Sequence, residues 1–214
     1  MENTHTHPYN GAFIAIEGID GAGKTTQAKM LCKALNNNGY EAIYLREPTD
    51  GEYGKEIRAL ALEGRHEITP YREFELFLKD REEDVEKNIR PALEAGKVVI
   101  IDRYFYSSIA YQGALGLDME FINEENREIA ITPDIMIYLT IPSNMATHRI
   151  ENSRGDQSNL FENQEYLKKV KNNFDSMPYP EIVPVDGKRP EKQIHQDILN
   201  LAMKVIQKKE IRVN

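Results

Sequence analysis

Apolar positions along this chain alternate between two rhythms. Short runs that are apolar on both faces occupy 12–16, 41–46, 98–101, 135–139 and 182–185, and Val98-Val99-Ile100-Ile101 is β-branched throughout. Such runs predict strands buried on both sides of a parallel sheet. Between them, apolar residues recur every three to four positions, the period of a helix with one buried face. The first such stretch carries Ala28, Leu31, Cys32 and Leu35, and Asn36-Asn37-Asn38-Gly39 supplies residues suited to a left-handed cap. A short helix is expected through Ile57, Leu60 and Ala61. A longer one opens at Thr69-Pro70, a capping hydroxyl followed by a proline at the first helical position. Its stripe runs Phe74, Phe77, Leu78, Val85, Ile89, Leu93, and Pro91 is expected to kink its last turn. Further helices are expected over 105–114 and 119–131, from Ser143, up to Asp175 and over 194–206, with a polar loop at 153–159. Strands alternating with helices predict an α/β fold whose parallel sheet is covered on both faces.

One loop in this pattern carries chemistry. Gly18-Ile19-Asp20-Gly21-Ala22-Gly23-Lys24-Thr25 lies between the first strand and the first helix and matches GxxxxGK[ST]. In that setting the glycines let backbone N–H groups face phosphate oxygens, and the helix N-terminus adds positive field. Gly18 to Thr25, with Thr26, are the expected ATP contacts. Lys24 would reach the β- and γ-phosphates, and Thr25 would hold Mg²⁺. Asp102, directly after the strand 98–101, is a turn residue in isolation; beside a P-loop it is a candidate for holding the same Mg²⁺. Arg46, Arg58, Arg103, Arg149 and Arg154 fall in or near loops at that sheet edge, and Arg is suited to bidentate phosphate contact. Arg81 interrupts the apolar stripe of the long helix, one turn after Phe77. A cation there is either paired structurally, with Asp80 or Glu82 as the nearest partners, or faces a flat base stacked on the ring.

Composition narrows the classes. The 214 residues are 40% hydrophobic and 29% charged, an ordinary balance for one globular domain. A net charge of −8 argues against a nucleic-acid groove, which needs a basic face. No window approaches 18 apolar residues, so no membrane span is expected. Residues 1–12 lack the basic start and apolar core of a signal peptide and read as a disordered polar tail, with His5 and His7 inert. Cys32 is the single cysteine and reads as a small core residue, so no internal disulfide is expected and a cytoplasmic setting is the default.

The motifs together resemble the thymidylate kinase family. The resemblance rests on 13–27, on Arg46-Glu47-Pro48 with Gly54 and Ile57-Arg58, and on Leu76-Phe77 with Arg81. Asp102-Arg103-Tyr104 with Ser108, Ala110-Tyr111-Gln112-Gly113, Pro133-Asp134 and Val185-Asp186 complete it. It implies a three-layer P-loop kinase fold around a five-stranded parallel sheet. The single domain would span 13–208, with a lid at about 142–162 and a short C-terminal tail at 209–214. It implies transfer of the γ-phosphoryl group of Mg-ATP to dTMP, and a homodimer.

It also implies roles. Phe77 would stack on thymine, Arg81 would bind its O4, and Ser108 and Gln112 would touch the base. Tyr111 would crowd the sugar 2′ position. Arg58 and Arg103 would grip the dTMP phosphate, with Glu47 and Asp102 arranging Mg²⁺ and water, and Glu47 also reaching dTMP. Asp20 would sit between the P-loop and the acceptor, and Asp186 near adenine. Lys24, Asp20, Arg103, Arg154 and Arg149 form the expected catalytic set.

Two positions depart from the family pattern. Some members carry an Arg where this chain has Gly21, so the missing cation is expected from the lid, from Arg154 first and Arg149 second. Lys79-Asp80 replaces small residues between Phe77 and Arg81, either altering the pocket edge or leaving Lys79 in solvent. The alternatives are a kinase preferring dUMP or a deoxynucleoside, and a P-loop regulatory switch. A switch does not need the second nucleotide pocket that Phe77, Arg81 and Gln112 imply.

Overall fold

The computed structural model describes residues 7–63, 68–154 and 160–213, with side chains of 62–63, 151–154 and 160–163 outside the description. The elements run β1 (Ala12–Glu17), α1 (Lys24–Asn37), β2 (Ala42–Arg46), α2 (Glu52–Glu63) and α3 (Pro70–Asp84). A π-helical turn (Val85–Ile89) leads into α4 (Arg90–Glu94), followed by β3 (Val98–Asp102), α5 (Phe105–Ala114) and α6 (Met119–Ile129). Then come β4 (Ile135–Thr140), α7 (Ser143–Arg154), α8 (Leu160–Ser176), β5 (Ile182–Asp186) and α9 (Glu191–Lys208). The strands form one parallel sheet in the order β2-β3-β1-β4-β5.

This order decides where chemistry collects. β1 is flanked by β3 and β4, and every residue from Ala12 to Glu17 is fully buried. Its connection runs outward to β2, whereas the chain leaves β3 to cross β1 toward β4. The order therefore reverses beside β1, and the crevice at the strands' C-terminal ends is where such sheets hold ligands. Register brings Ile16 and Arg46 level with Asp102, so the loop after β1 and the carboxylate after β3 emerge side by side. On one face α1 packs on β1, β2 and β3 and against α9; α5 packs with α3, α6 and α8 in a second group, and α4 rests on β3.

Pro91 has a different effect from the expected kink. Proline lacks an N–H for the preceding turn, and the helix takes this up one turn earlier, where Arg90 N–H reaches back to the Val85 carbonyl in the π pattern. That widened turn, a form common at functional sites, begins directly after Asp84.

The expected disordered N-terminal tail needs correction over residues 7–12. Residues 7–11 are fixed on the body: Gly11 N–H donates to the Leu93 carbonyl at 2.9 Å, and Tyr9 packs on the core. His7 Nε2 lies 3.0 Å from Asp134 Oδ2, so His7 is not inert. Lys209, placed in the C-terminal tail by sequence, reaches Asp134 Oδ1 at 3.1 Å and the His7 and Tyr9 carbonyls at 3.3 Å. The cause is Asp134 itself, a buried carboxylate before β4 that also accepts the Phe13 N–H at 2.9 Å. Its partners come from both ends of the chain, which no local pattern reveals.

Burial opposes the charge on Asp134, but His7, the Phe13 N–H and Lys209 outweigh it and hold the carboxyl below its usual range. A depressed carboxylate contributes stability above its unfolded value that disappears as pH falls through the folded one. Asp134→Asn is expected to cost about 1–3 kcal/mol at pH 7. The difference from wild type should shrink below about pH 4 as the native carboxyl protonates, as read by urea unfolding at the two pH values.

Candidate active site

At the end of β1 the chain turns through Gly18–Gly23 and enters α1 at Lys24. Lys24 Nζ donates to the Ile19 carbonyl at 2.9 Å, curling the side chain back over the loop. Burial and the nearby Arg103 push Lys24 down to about 8, against the pull of Asp20, Asp102 and Glu17. A phosphate anion arriving there would restore the lysine's charge. Next in the helix, the Thr25 hydroxyl donates to Asp102 Oδ2, which also accepts from Tyr44 Oη at 3.3 Å. Asp102 is buried, and its second oxygen has no hydrogen-bond partner. A hydroxyl and a carboxylate with a spare oxygen beside a phosphate loop form the hard donor set that suits Mg²⁺. Thr26 follows on the exposed side of the helix.

Gly21 has φ 78°, and a Cβ there would lie 2.6 Å from the Ala146 carbonyl oxygen. The first turn of α7 therefore sits directly over the loop, and only glycine satisfies both the backbone angle and the contact. Arg149, one turn further along α7, donates to the Gly21 carbonyl at 3.3 Å and to the Gly187 carbonyl at 3.2 Å. It thus bridges the P-loop to the turn after β5, where Asp186 accepts the Lys188 N–H at 3.0 Å. Arg154 closes α7, and its side chain lies outside the described residues, as does the polar loop 155–159.

Beside this loop opens a cavity of about 1000 Å³ that Asp20, Arg103 and Tyr111 line at one end. Arg103 has φ 69°, a left-handed conformation that costs a non-glycine residue about 1–2 kcal/mol. The turn directs its guanidinium onto the Asp20 carboxylate, to Ser107 Oγ at 3.1 Å and over the Tyr111 ring at 5.0 Å. Tyr111 Oη accepts the Asp20 N–H at 2.9 Å, tying α5 to the P-loop.

At its other end the cavity is lined by Glu47, Phe77, Arg81, Ser108 and Gln112. Phe77 is half-buried, so its ring shows one side to the space. Arg81 is 1% exposed, and its partner is neither Asp80 nor Glu82 but Glu47, at 2.5 Å and 34 residues away. It donates further to Ser108 Oγ at 3.2 Å and to Asn126. Gln112 Oε1 is buried without a hydrogen-bond partner.

Glu47 gives only Oε2 to Arg81, while its Oε1 is buried without a hydrogen-bond partner, and burial pushes the carboxyl up to about 8 against the pull of Arg81. Asp80 is buried and accepts from both the N–H and the hydroxyl of Thr49, at 2.8 and 2.6 Å, holding the loop after β2. Arg58 secures the same loop from α2, donating to the Pro48 and Thr49 carbonyls at 3.0 and 2.6 Å. Lys79 is exposed over the Tyr53 ring, so the substitution at that position leaves the pocket edge alone.

Several wall residues escaped the sequence reading. Thr147 and Ile150 of α7, with Tyr166 and Leu167 of α8, close the cavity from above. Asp84, at the end of α3, and Asn88, in the π turn, also line it. Asp84 continues the face of Phe77 and Arg81 in the sequence, but the widened turn that carries Asn88, an exposed residue at the cavity's edge, has no signature of its own.

Asp84 is 2% exposed, and burial pushes its carboxyl up to about 6 despite a hydrogen bond from Asn88. A raised carboxyl favours the fold while protonated, and that contribution is lost as pH climbs through the folded value. Asp84→Asn removes the penalty and is expected to stabilise the protein at pH 8 by up to about 3 kcal/mol. At pH 4 it should change little, as measured by urea midpoints at both values.

Comparison with known proteins agrees with this geometry. A family model described as thymidylate kinase matches residues 16–198. The thymidylate kinase of Desulfotalea psychrophila is 45% identical over 189 residues, covering 88% of this chain and 93% of the relative. A probable thymidylate kinase of Thermococcus gammatolerans is 45% identical over 200 residues, covering 89% and 95%. The thymidylate kinase of Brachyspira hyodysenteriae is 40% identical over 190 residues, covering 89% and 92%. With a phosphate loop, a buried hydroxyl–carboxylate pair and an adjoining Arg-lined cavity in one crevice, the chain belongs to the thymidylate kinase family.

Proposed function

We propose that this protein transfers the γ-phosphoryl group of ATP to dTMP, giving ADP and dTDP. The observation that carries this reading is the second compartment. A cavity with a half-buried ring, an anchored guanidinium and a buried amide opens directly beside the phosphate loop. A nucleotide switch has no need of one.

In this reading, Gly18 to Thr26 wrap the ATP phosphates and Lys24 reaches the β- and γ-phosphates. Asp186 stands at the nucleoside end. Thymine enters against Phe77, with Arg81, Ser108 and Gln112 at its polar edge; Glu47 holds Arg81, and Tyr111 limits the sugar. Arg58 and Arg103 face the acceptor phosphate, with Asp20 between the two nucleotides. Thr25 and Asp102 would hold Mg²⁺, which when bound neutralises charge on the phosphate oxygens.

An oxygen of the dTMP phosphate attacks the γ-phosphorus in line, a new P–O bond forms, and the bond to the β-phosphate oxygen breaks to leave ADP. No covalent enzyme intermediate is needed, so the side chains supply positioning and positive charge. Because Gly21 leaves no room for a P-loop arginine, the remaining cation is assigned to the lid, to Arg154 with Arg149 beside it. The protein is read as a homodimer from family resemblance, which sedimentation would measure. Among the described residues no helix is long and apolar enough to cross a membrane.

The deciding test is ADP release with dTMP, dUMP, dCMP, dGMP and thymidine as acceptors. The highest kcat/KM is expected with dTMP, and faster turnover of a nucleoside or a purine nucleotide would refute the proposal. For the lid, Arg154→Ala should lower kcat by about 10³-fold or more, as for arginines that meet the transferring phosphoryl group, and change dTMP affinity far less. Turnover within a few-fold of wild type would move that role elsewhere.

A further inference from the structure

The last residue of β1, Glu17, is fully buried and is not among the residues assigned above to either nucleotide. Its two carboxylate oxygens are nevertheless fully engaged, and all the donors come from the start of α5, about 90 residues later. Oε1 accepts the Tyr104 N–H at 2.7 Å and the Ser107 N–H at 3.1 Å, and Oε2 accepts the Ser107 hydroxyl at 2.6 Å.

Helix α5 needs this. Its N-cap is Tyr104, which offers no side-chain cap. In a capping box, two reciprocal side chains satisfy the N–H groups of the N-cap and of the third helical residue. Here one carboxylate from another strand satisfies both, and it places negative charge at the positive end of the helix.

The residue caught between is Arg103. Its own N–H donates to the Ile16 carbonyl at 3.1 Å, and the next N–H along the chain goes to Glu17. Two consecutive residues of β1 therefore pin the turn on either side of Arg103 and sustain its φ of 69°. A second link runs through the side chains. The Ser107 hydroxyl donates to Glu17 and accepts from Arg103 Nη1 at 3.1 Å, so backbone and guanidinium are set by the same carboxylate.

We propose that Glu17 is a positioning residue that aims Arg103 at the acceptor phosphate. The proposal rests on the reading of Arg103 as a dTMP-phosphate contact. A glutamine keeps the shape and one accepting oxygen. It loses the charge at the helix end, and the Ser107 hydroxyl loses its acceptor.

The test compares wild type, Glu17→Gln, Arg103→Ala and the double variant by calorimetric binding of dTMP, thymidine and ATP, each alone. Glu17→Gln is expected to weaken dTMP by about 10–50-fold. Thymidine, which lacks the phosphate, and ATP should change by no more than about 2-fold. In the Arg103→Ala background, Glu17→Gln should weaken dTMP by less than about 3-fold more, because residues acting through one another are not additive.

Equal losses for dTMP, thymidine and ATP, or full additivity with Arg103→Ala, would overturn the positioning role. If Glu17→Gln fails to fold, Ser107→Ala replaces it. That variant removes only the linking hydroxyl and should weaken dTMP about 3–10-fold with thymidine unchanged; an unchanged dTMP affinity would refute the link. Wild-type protein that binds thymidine and dTMP equally would instead defeat the underlying reading of Arg103, a result separate from either variant.

Discussion

The requirement that charges removed from water be neutralised locally shapes the whole C-terminal edge of the sheet. Parallel pairing buries β1 completely and sets its end level with Asp102. Glu17, Lys24, Asp102 and Arg103 therefore come within reach of one another with little solvent between them. Each is held by a named partner: Glu17 by the start of α5, Asp102 by Thr25 and Tyr44, Arg103 by Asp20. Lys24 folds onto a carbonyl and is pushed down to about 8. An anionic oxygen arriving beside Lys24 would restore that lysine's charge, which is a condition a phosphate-binding site must meet.

The acceptor side repeats the device with different residues. Arg81 is buried inside a helix and would be costly alone, so Glu47 crosses from the loop after β2 to pair with it. That loop is itself held by Asp80 from the same helix and by Arg58 from α2. The base-end wall and the phosphate-end loop are thus one ion-paired unit, and the long helix is both wall and clamp. A buried Asp84 adds surplus negative charge to it, which burial holds partly in the protonated form.

Over both compartments lies α7, and its seat on the P-loop explains the missing loop arginine in physical terms. The Gly21 backbone needs a positive φ, and the Ala146 carbonyl occupies the space a side chain would take. A cation at that position and this seat for α7 exclude each other. Arg149 instead reaches across from the helix to the Gly21 and Gly187 carbonyls.

The sequence by itself determined what local chemistry can encode. Apolar runs and helical stripes marked the strands, the layers and the P-loop at its strand–helix junction. Phe77 and Arg81 could be placed on one face from spacing alone. Only the tertiary structure decided partners. Arg81 finds Glu47 34 residues away, Glu17 finds Ser107, and Asp134 gathers His7 and Lys209 from opposite ends of the chain. The physical reason is that a buried charge takes whichever opposite group the topology delivers. Strand order and register, unlike periodicity, are properties of the whole chain.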